Sequence, residues 1–382
     1  MDAHRGPHGA QGGVIYLDYQ ATTPLAPEVA RAMRPWAEDH FANPHSPSRA
    51  GREAAAAIAV ARGQVEAAIG LGGGTLAFTS GATEALNWAL KGSFEQRLDT
   101  RSRIVTLATE HAAVLDTLDW LERQGAVVVR LPVRNDGLVD LATVEAAVDQ
   151  STCLVAAMLV NNEIGVIQPI ADIARIAHAA GALMLCDAVQ GFGRVAIPQG
   201  PDLIAFSAHK IHGPKGIGAL WMRKGTEPAP FMHGGGQEQG MRSGTMSPSL
   251  CVGFGVAATL LSGQDLAHVE NLWRTALATL GPGWTLNGNA DPRYHGNLNL
   301  RRDGLDVARL MNDVRDVAFS AGSACASGSG RPSHVLRALG LSDREAKSSI
   351  RIGFGRYTSE KELVDAVGRI DSVARAQGVI VA

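Results

Sequence analysis

Six lysines serve the whole chain, and one of them, Lys210, stands in the segment FSAHKIHGPKG (206–216) among hydrogen-bonding neighbours. A lysine usually ends as a solvated surface charge. In a constricted site its amine gives up its proton more readily and forms an imine with an aldehyde. Ser207 and His209, within four positions of it, add donors suited to a phosphate. A second polar segment, SGATEA (80–85), follows an apolar run. The free N–H groups of a helix start and the Thr83 hydroxyl suit a phosphate there, and a plain helix N-cap is the other reading. In CDAVQG (186–191), Asp187 stands just past a further apolar run, where an acid is costly unless paired. A cationic ring nitrogen is one such partner, and a cap on the following turn is the alternative. Phosphate cradle, acid for a ring nitrogen and imine lysine, in that order, are what a protein must supply to pyridoxal phosphate.

These residues need a scaffold that brings distant segments to one edge. TLAFTS (75–80), RIVTLAT (103–109), AVVVRLP (126–132), CLVAAMLV (153–160), ALMLCDA (182–188), LIAFSA (203–208) and IGALWM (217–222) read as buried strands. Helical stretches alternate with them at 82–92, 112–125, 141–149 and 169–181, with Gly125 and Gly181 where helix ends are expected. This pattern predicts an α/β fold with a mostly parallel seven-stranded sheet and the ligand site at the carboxyl ends of its strands. After HGGGQEQGMRSGT (233–245) the texture changes. A long helical region over about 248–279, a strand in YHGNLNL (294–300) and another in IRIGFG (350–355) predict a smaller α+β domain. The expected division is a flexible tail over 1–13, a large domain over 14–250 whose first residues pack on the small domain, and a small domain over 251–382.

Bulk properties narrow the function classes. The chain is 46% hydrophobic and 19% charged, with a formal net charge of −2, which argues against a nucleic-acid or anionic-membrane partner. No run reaches the roughly 20 apolar residues that span a bilayer. The first thirteen residues lack the apolar core of a signal peptide, so a cytoplasmic protein is expected. Four cysteines at 153, 186, 251 and 325 form no CxxC pair, suggesting neither a zinc cage nor a disulfide framework. Cys153, Cys186 and Cys251 fall in apolar segments and read as small buried hydrophobes. Cys325 instead lies in SAGSACASGSGRPS (320–333), whose small residues exclude a core strand and predict a mobile loop.

Many segments together resemble the NifS/IscS-like cysteine desulfurases, which are class-V-aminotransferase-like, fold-type-I pyridoxal-phosphate enzymes. The resemblance runs from YLDYQATTP (16–24) to RIGFGRYT (351–358) through SGATE, TEHAAVLD, VNNEIGVIQP, CDAVQ, SAHKIHGPKGIGAL, HGGGQEQGMRSGT, SAGSACASG, SHVLRALGL and SSIRIGFGR. It implies that Lys210 carries pyridoxal phosphate as a Schiff base and that Asp187 pairs with the ring nitrogen. It implies that His111 stacks on the ring and moves protons, and that Asn162 and Gln190 bond the ring substituents. Ala82, Thr83, Ser207 and His209 would hold the phosphate, with Thr245 reaching across from a second subunit of a homodimer. Arg351, with Asn162, would take the substrate carboxylate, and Cys325 would accept the sulfur. From the residues alone, other readings stay open: a core histidine for His111, turn formation for Asn162, a surface salt bridge for Arg351.

The resemblance implies that L-cysteine displaces Lys210, whose freed amine removes the α-proton before the Cys325 thiolate attacks the substrate sulfur. The products are alanine and a persulfide for transfer to an acceptor protein in iron–sulfur cluster, thio-cofactor or tRNA biosynthesis. No resident metal is expected, only a transient contact of Cys325 with an iron–sulfur cluster. A selenocysteine lyase or an aminotransferase on the same scaffold is the alternative, and a subunit that has lost its chemistry is a third. Two departures stand out. Ser48 in ANPHSPSRAG (42–51) replaces a histidine usual in the family. The chain ends soon after the last predicted helix, with VARAQGVIVA (373–382), where relatives that dock an iron–sulfur scaffold often have a longer tail, so a different acceptor or docking surface is expected.

Overall fold

A computed structural model describes residues 13–261, 263–322 and 332–378. Residues 1–12 of the expected tail, and Cys325 with its neighbours from 323 to 331, lie outside the described residues.

In chain order the elements begin with β1 (Ile15–Tyr16), α1 (Pro27–Glu38), α2 (Arg49–Ile69), β2 (Gly74–Thr79), α3 (Ala82–Arg97), β3 (Arg103–Leu107) and α4 (Ala112–Glu122). Then come β4 (Val127–Leu131), α5 (Leu141–Ala147), β5 (Thr152–Met158), α6 (Ile170–Ala179), β6 (Leu183–Asp187), β7 (Leu203–Ser207) and β8 (Gly218–Arg223). The remainder is α7 (Pro248–Thr259), α8 (Gly263–Thr279), β9 (Thr285–Leu286), β10 (Asn297–Arg301), α9 (Val307–Asp313), β11 (Val317–Ala318) and β12 (Ser320–Ala321), followed by α10 (His334–Ala338), α11 (Asp343–Lys347), β13 (Ser349–Gly353) and α12 (Glu360–Gly378).

Seven strands form one sheet in the order β2-β8-β7-β6-β5-β3-β4. The pairs among β3, β4, β5, β6 and β7 are parallel, whereas β8 runs antiparallel to both β7 and β2. The reversal has a local cause. A parallel return needs a crossover element, and between Ser207 and Gly218 the chain has only a short turn of 3-10 helix, so it doubles back. That same turn bears Lys210. Strand side chains alternate between two apolar layers, as burial on both faces requires. Leu154 and Ala156 join Trp88, Leu90 and Leu118 from α3 and α4 on one face, while Val155 and Ala157 join the larger core on the other.

The long helical region expected over 248–279 is two helices, α7 and α8. In α7, close packing demands small residues: a Cβ on Gly255 would lie 2.4 Å from Gln64 Oε1 and 2.7 Å from Ala61 Cα, on α2. The expected junction at 250/251 falls inside this helix. A second sheet has the order β12-β13-β10-β9 and is antiparallel throughout, and β1 pairs with β11 in parallel. The expected strand at 294–300 is β10, starting three residues later. The segment from Ser320, expected as loop, begins instead with a strand: Ser320 and Ala321 pair with Arg351 and Ile350. Its small residues permit this, since a Cβ on Gly322 would meet Ser349 Cβ at 2.8 Å. Among the described residues no helix is long and apolar enough to cross a membrane.

Candidate active site

Because β2, β3, β5, β6 and β7 run the same way, their carboxyl ends open onto one cavity of about 660 Å³. Its lining brings together Ala82, Thr83, His111, Asn162, Asp187, Gln190, Ser207, His209, Lys210 and Arg351. Such a volume suits a ligand of cofactor size.

At the end of β2 the chain turns into α3 with Gly81 as N-cap, and no side chain caps it. The segment is thus the helix N-cap that the plain reading expects, with its first N–H groups left without a side-chain cap. The first N–H groups of a 16-residue helix point out of its start, next to the Thr83 hydroxyl. A glycine on β8 lets the backbones close here: a Cβ on Gly218 would lie 2.6 Å from Gly81 C and 2.8 Å from Ala82 N. Arg242 steadies this corner by a fork onto Glu84, at 2.7 and 3.0 Å, while Glu84 accepts from the Ser80 N–H at 2.7 Å.

Across the cavity, Ser207 ends β7 and is buried, and His209 and Lys210 follow in the turn. Lys210 Nζ donates to the carbonyls of Gln20 and Ala21, the second at 2.8 Å. His209 Nδ1 lies 3.1 Å from Thr22 Oγ1, and the Thr23 hydroxyl donates to the His209 carbonyl at 2.9 Å. The segment Gln20–Thr23 thus clasps the lysine turn. Burial, with Lys210, Lys215 and Arg194 nearby, pushes the His209 pKa down to about 4, leaving a neutral ring at neutral pH.

Asp187 ends β6. Its Oδ1 accepts from the Val189 N–H at 2.9 Å, so the turn-cap reading holds for one oxygen while the residue also lines the cavity. Burial raises its pKa, and the Val189 N–H, His111 and Lys210 oppose that rise. A cation bound at this carboxylate would add to the opposition, which fits a pyridinium. His111 is the N-cap of α4, its Nδ1 accepting from the Ala113 N–H at 3.1 Å, which leaves the ring proton on Nε2. Burial lowers its pKa, as do Lys210 and His334.

Turn formation after β5 falls to Asn161, not Asn162: Asn161 Oδ1 accepts from the N–H groups of Glu163 and Ile164 at 2.9 and 3.0 Å. Asn162 is left facing the cavity, its carbonyl accepting from Arg351 Nη1 at 3.0 Å. Arg351 is no surface residue, being 1% exposed on β13. Its Nη2 donates to Asp18 Oδ1 at 2.7 Å and to Ser320 Oγ at 3.3 Å, while Nε is buried and has no hydrogen-bond partner among the described residues. An orphaned guanidinium N–H beside the cavity matches a site for a carboxylate.

The model of the family described as aminotransferase class-V matches residues 15–367, nearly the whole chain. The chain belongs to that family. Within it, this chain falls in the cysteine desulfurase branch. It is 44% identical over 370 residues to the protein named cysteine desulfurase IscS of Rickettsia akari, covering 94% of this chain and 90% of that one. The namesake of Rickettsia typhi is 43% identical over the same shares. A solved NifS-like protein superposes with a TM-score of 0.88 at 32% identity, covering 95% of this chain and 100% of that one. SspA, solved in complex with cysteine, gives 0.82 at 35% identity over 90% and 100%.

In this class-V chain one expected site residue, Thr245, is exposed and does not line the cavity, and Cys325 lies outside the described residues. Ser48 also lies away from the lining and instead caps α2, accepting from the Gly51 N–H at 3.1 Å. Cys153, Cys186 and Cys251 are buried, and burial pushes the thiols of Cys153 and Cys251 up to about 12. Four neighbours of the site escape sequence reasoning. Gln20 and Ala21 hold Lys210 through backbone carbonyls, which no residue type announces. Arg194 reaches the site from an ordinary turn. Glu110, beside His111, is a buried acid whose Oε1 accepts from the Met158 N–H at 2.8 Å; burial raises its pKa well above the usual carboxylate range.

Proposed function

We propose that this chain binds pyridoxal phosphate in the cavity above the sheet and removes the sulfur of L-cysteine, releasing L-alanine and keeping the sulfur as a persulfide on Cys325. The observation that supports this best is the meeting of Lys210, Asp187, the uncapped start of α3 and buried Arg351 around one cavity. When bound, the cofactor supplies an aldehyde for the amine and a sink for electrons.

The chain's own residues do the rest. Lys210 is the covalent anchor, and its amine, once displaced, takes the proton from the substrate Cα. Asp187 keeps the ring nitrogen protonated, and His111 covers the ring and moves protons at Nε2. The N–H groups from Ala82 and Thr83, the hydroxyls of Thr83 and Ser207, and neutral His209 hold the phosphate. Asn162 and Gln190 bond the ring substituents, and Arg351 with Asn162 takes the substrate carboxylate. Cys325 thiolate attacks the substrate sulfur: an S–S bond forms as the Cβ–S bond breaks. The electron pair stays with the carbon fragment, which takes up a proton at Cβ, regains one at Cα from the Lys210 amine and leaves as alanine.

Thr245, exposed and off its own cavity, serves the cavity of a second copy in a homodimer. A large domain over 14–250 holds the cofactor and a smaller one over 251–382 bears Cys325. The chain works in the cytoplasm, handing sulfur to an acceptor protein. The test is to give the cofactor-loaded protein L-cysteine and a reductant and to measure alanine and sulfide. Equimolar release that is lost in Lys210→Ala and Cys325→Ser supports the reading. Wild-type sulfide release from Cys325→Ser, or no visible absorption band from the wild type, overturns it. The same assay on L-selenocysteine separates a selenocysteine lyase.

A further inference from the structure

Arg194 is buried behind the cavity, and among the described residues its hydrogen-bond partners are all neutral oxygens. Its Nη1 donates to Gln190 Oε1 and, at 3.3 Å, to the Gln190 carbonyl. Its Nη2 donates to the Lys210 carbonyl at 3.0 Å and the Tyr19 carbonyl at 3.4 Å, and the guanidinium lies 5.2 Å from the Tyr294 ring centroid. Gln190 in turn donates through Nε2 to the Gln20 carbonyl at 3.0 Å, the same oxygen that accepts from Lys210 Nζ. A closed circuit results, running from Arg194 through Gln190 and Gln20 to the amine of Lys210 and back through the Lys210 carbonyl.

We propose that Arg194 is a positioning residue that locks the Gln190 amide as a hydrogen-bond donor toward the cavity and sets the electrostatics of the Lys210 amine. An amide can present either its oxygen or its nitrogen to a ligand. Here the oxygen is held by Arg194 and one Nε2 hydrogen by Gln20, so the hydrogen left for the cavity is a donor, suited to an anionic oxygen on a ring. A guanidinium at the Lys210 carbonyl also places positive charge beside the linkage that Lys210 makes. The inference rests on the proposed binding of pyridoxal phosphate at Lys210. Among the described residues the other ionisable groups lining the cavity with that amine are His111 at the start of α4, Asp187 from β6, His209 and Lys215 from the β7–β8 turn, and Arg351 from β13 paired with Asp18. None of them is altered by the variants below.

The test is a pH titration of the visible band of the cofactor-loaded protein, for wild type, Arg194→Met, Arg194→Lys and Gln190→Leu. Removing a nearby cation favours the protonated form of the Lys210 linkage, so the midpoint in Arg194→Met rises by roughly one unit or more. Gln190→Leu moves it the same way, because an anionic ring oxygen loses its donor. Arg194→Lys keeps the charge but not the fork, and its midpoint lies between those of wild type and Arg194→Met. Midpoints in Arg194→Lys and Gln190→Leu equal to wild type overturn the inference, also where Arg194→Met fails to fold. A wild type with no visible band refutes the cofactor reading instead, so the two failures are distinguishable.

Discussion

Replacing Asp187 with asparagine removes one negative charge and almost nothing else. Asparagine has the same shape, and its carbonyl oxygen can keep the 2.9 Å bond from the Val189 N–H, so the turn after β6 is preserved. The carboxylate is buried, and an opposite charge within hydrogen-bonding reach shifts a partner's pKa by about one to three units. At about 1.4 kcal/mol per unit, the ring nitrogen loses roughly 1.4 to 4 kcal/mol of stabilisation of its protonated form. A protonated ring nitrogen is what draws electrons from the substrate Cα, so the rate of alanine formation falls about 10- to 1000-fold. The assay measures alanine from L-cysteine at saturating cofactor, with the circular dichroism spectrum as a check on fold. Asp187→Asn at the wild-type rate, with cofactor bound and fold intact, would refute the assignment of Asp187 to the ring.

Three further outcomes follow from the geometry. Arg351→Lys keeps the charge but loses the fork, and with charged hydrogen bonds worth about 1.5–3 kcal/mol the KM for cysteine rises roughly 10- to 150-fold while cofactor binding holds; steady-state kinetics beside a cofactor titration check this. Gly218→Ala pushes a methyl group within 2.6 Å of Gly81 C, so α3 must retreat and pyridoxal-phosphate affinity drops, with inorganic phosphate competing less well in fluorescence titrations. His212 is buried, with its pKa pushed down from 6.5 to about 3, so the folded state resists its protonation while the unfolded state does not. Stability tied to it is present above 6.5 and is lost as pH falls toward 3, so the wild type loses stability relative to His212→Asn over that window, as denaturant titrations at several pH values will register.

The large sheet was legible in the sequence because its strands are apolar runs bounded by turns, the central ones buried on both faces, although the edge strand β4 is partly exposed. The antiparallel β8 was not, since periodicity reports burial and says nothing of direction; the shortness of the Ser207–Gly218 link was the available clue. Helix α2 gives a weak signal because its buried face is largely small, with Gly51, Ala54 and Ala61 beside Ile58, Val65 and Ile69. Within the site, Lys210, Asp187 and the SGAT turn were readable because reactive side chains follow apolar strands. The Gln20–Thr23 clasp works mostly through backbone carbonyls, and Arg194 has a residue type that is usually solvated, so neither advertises itself. The Asp18 partner of Arg351 was hidden by distance along the chain.

The most direct test of sulfur transfer maps the fate of the substrate sulfur. Cofactor-loaded protein is exposed to L-cysteine without reductant, alkylated, digested and examined by mass spectrometry, alongside Lys210→Ala. The account predicts one extra sulfur atom on the peptide containing Cys325, absent from Lys210→Ala and absent from the peptides of buried Cys153, Cys186 and Cys251. An unmodified Cys325 peptide from an active wild type, or equal modification in Lys210→Ala, would contradict it.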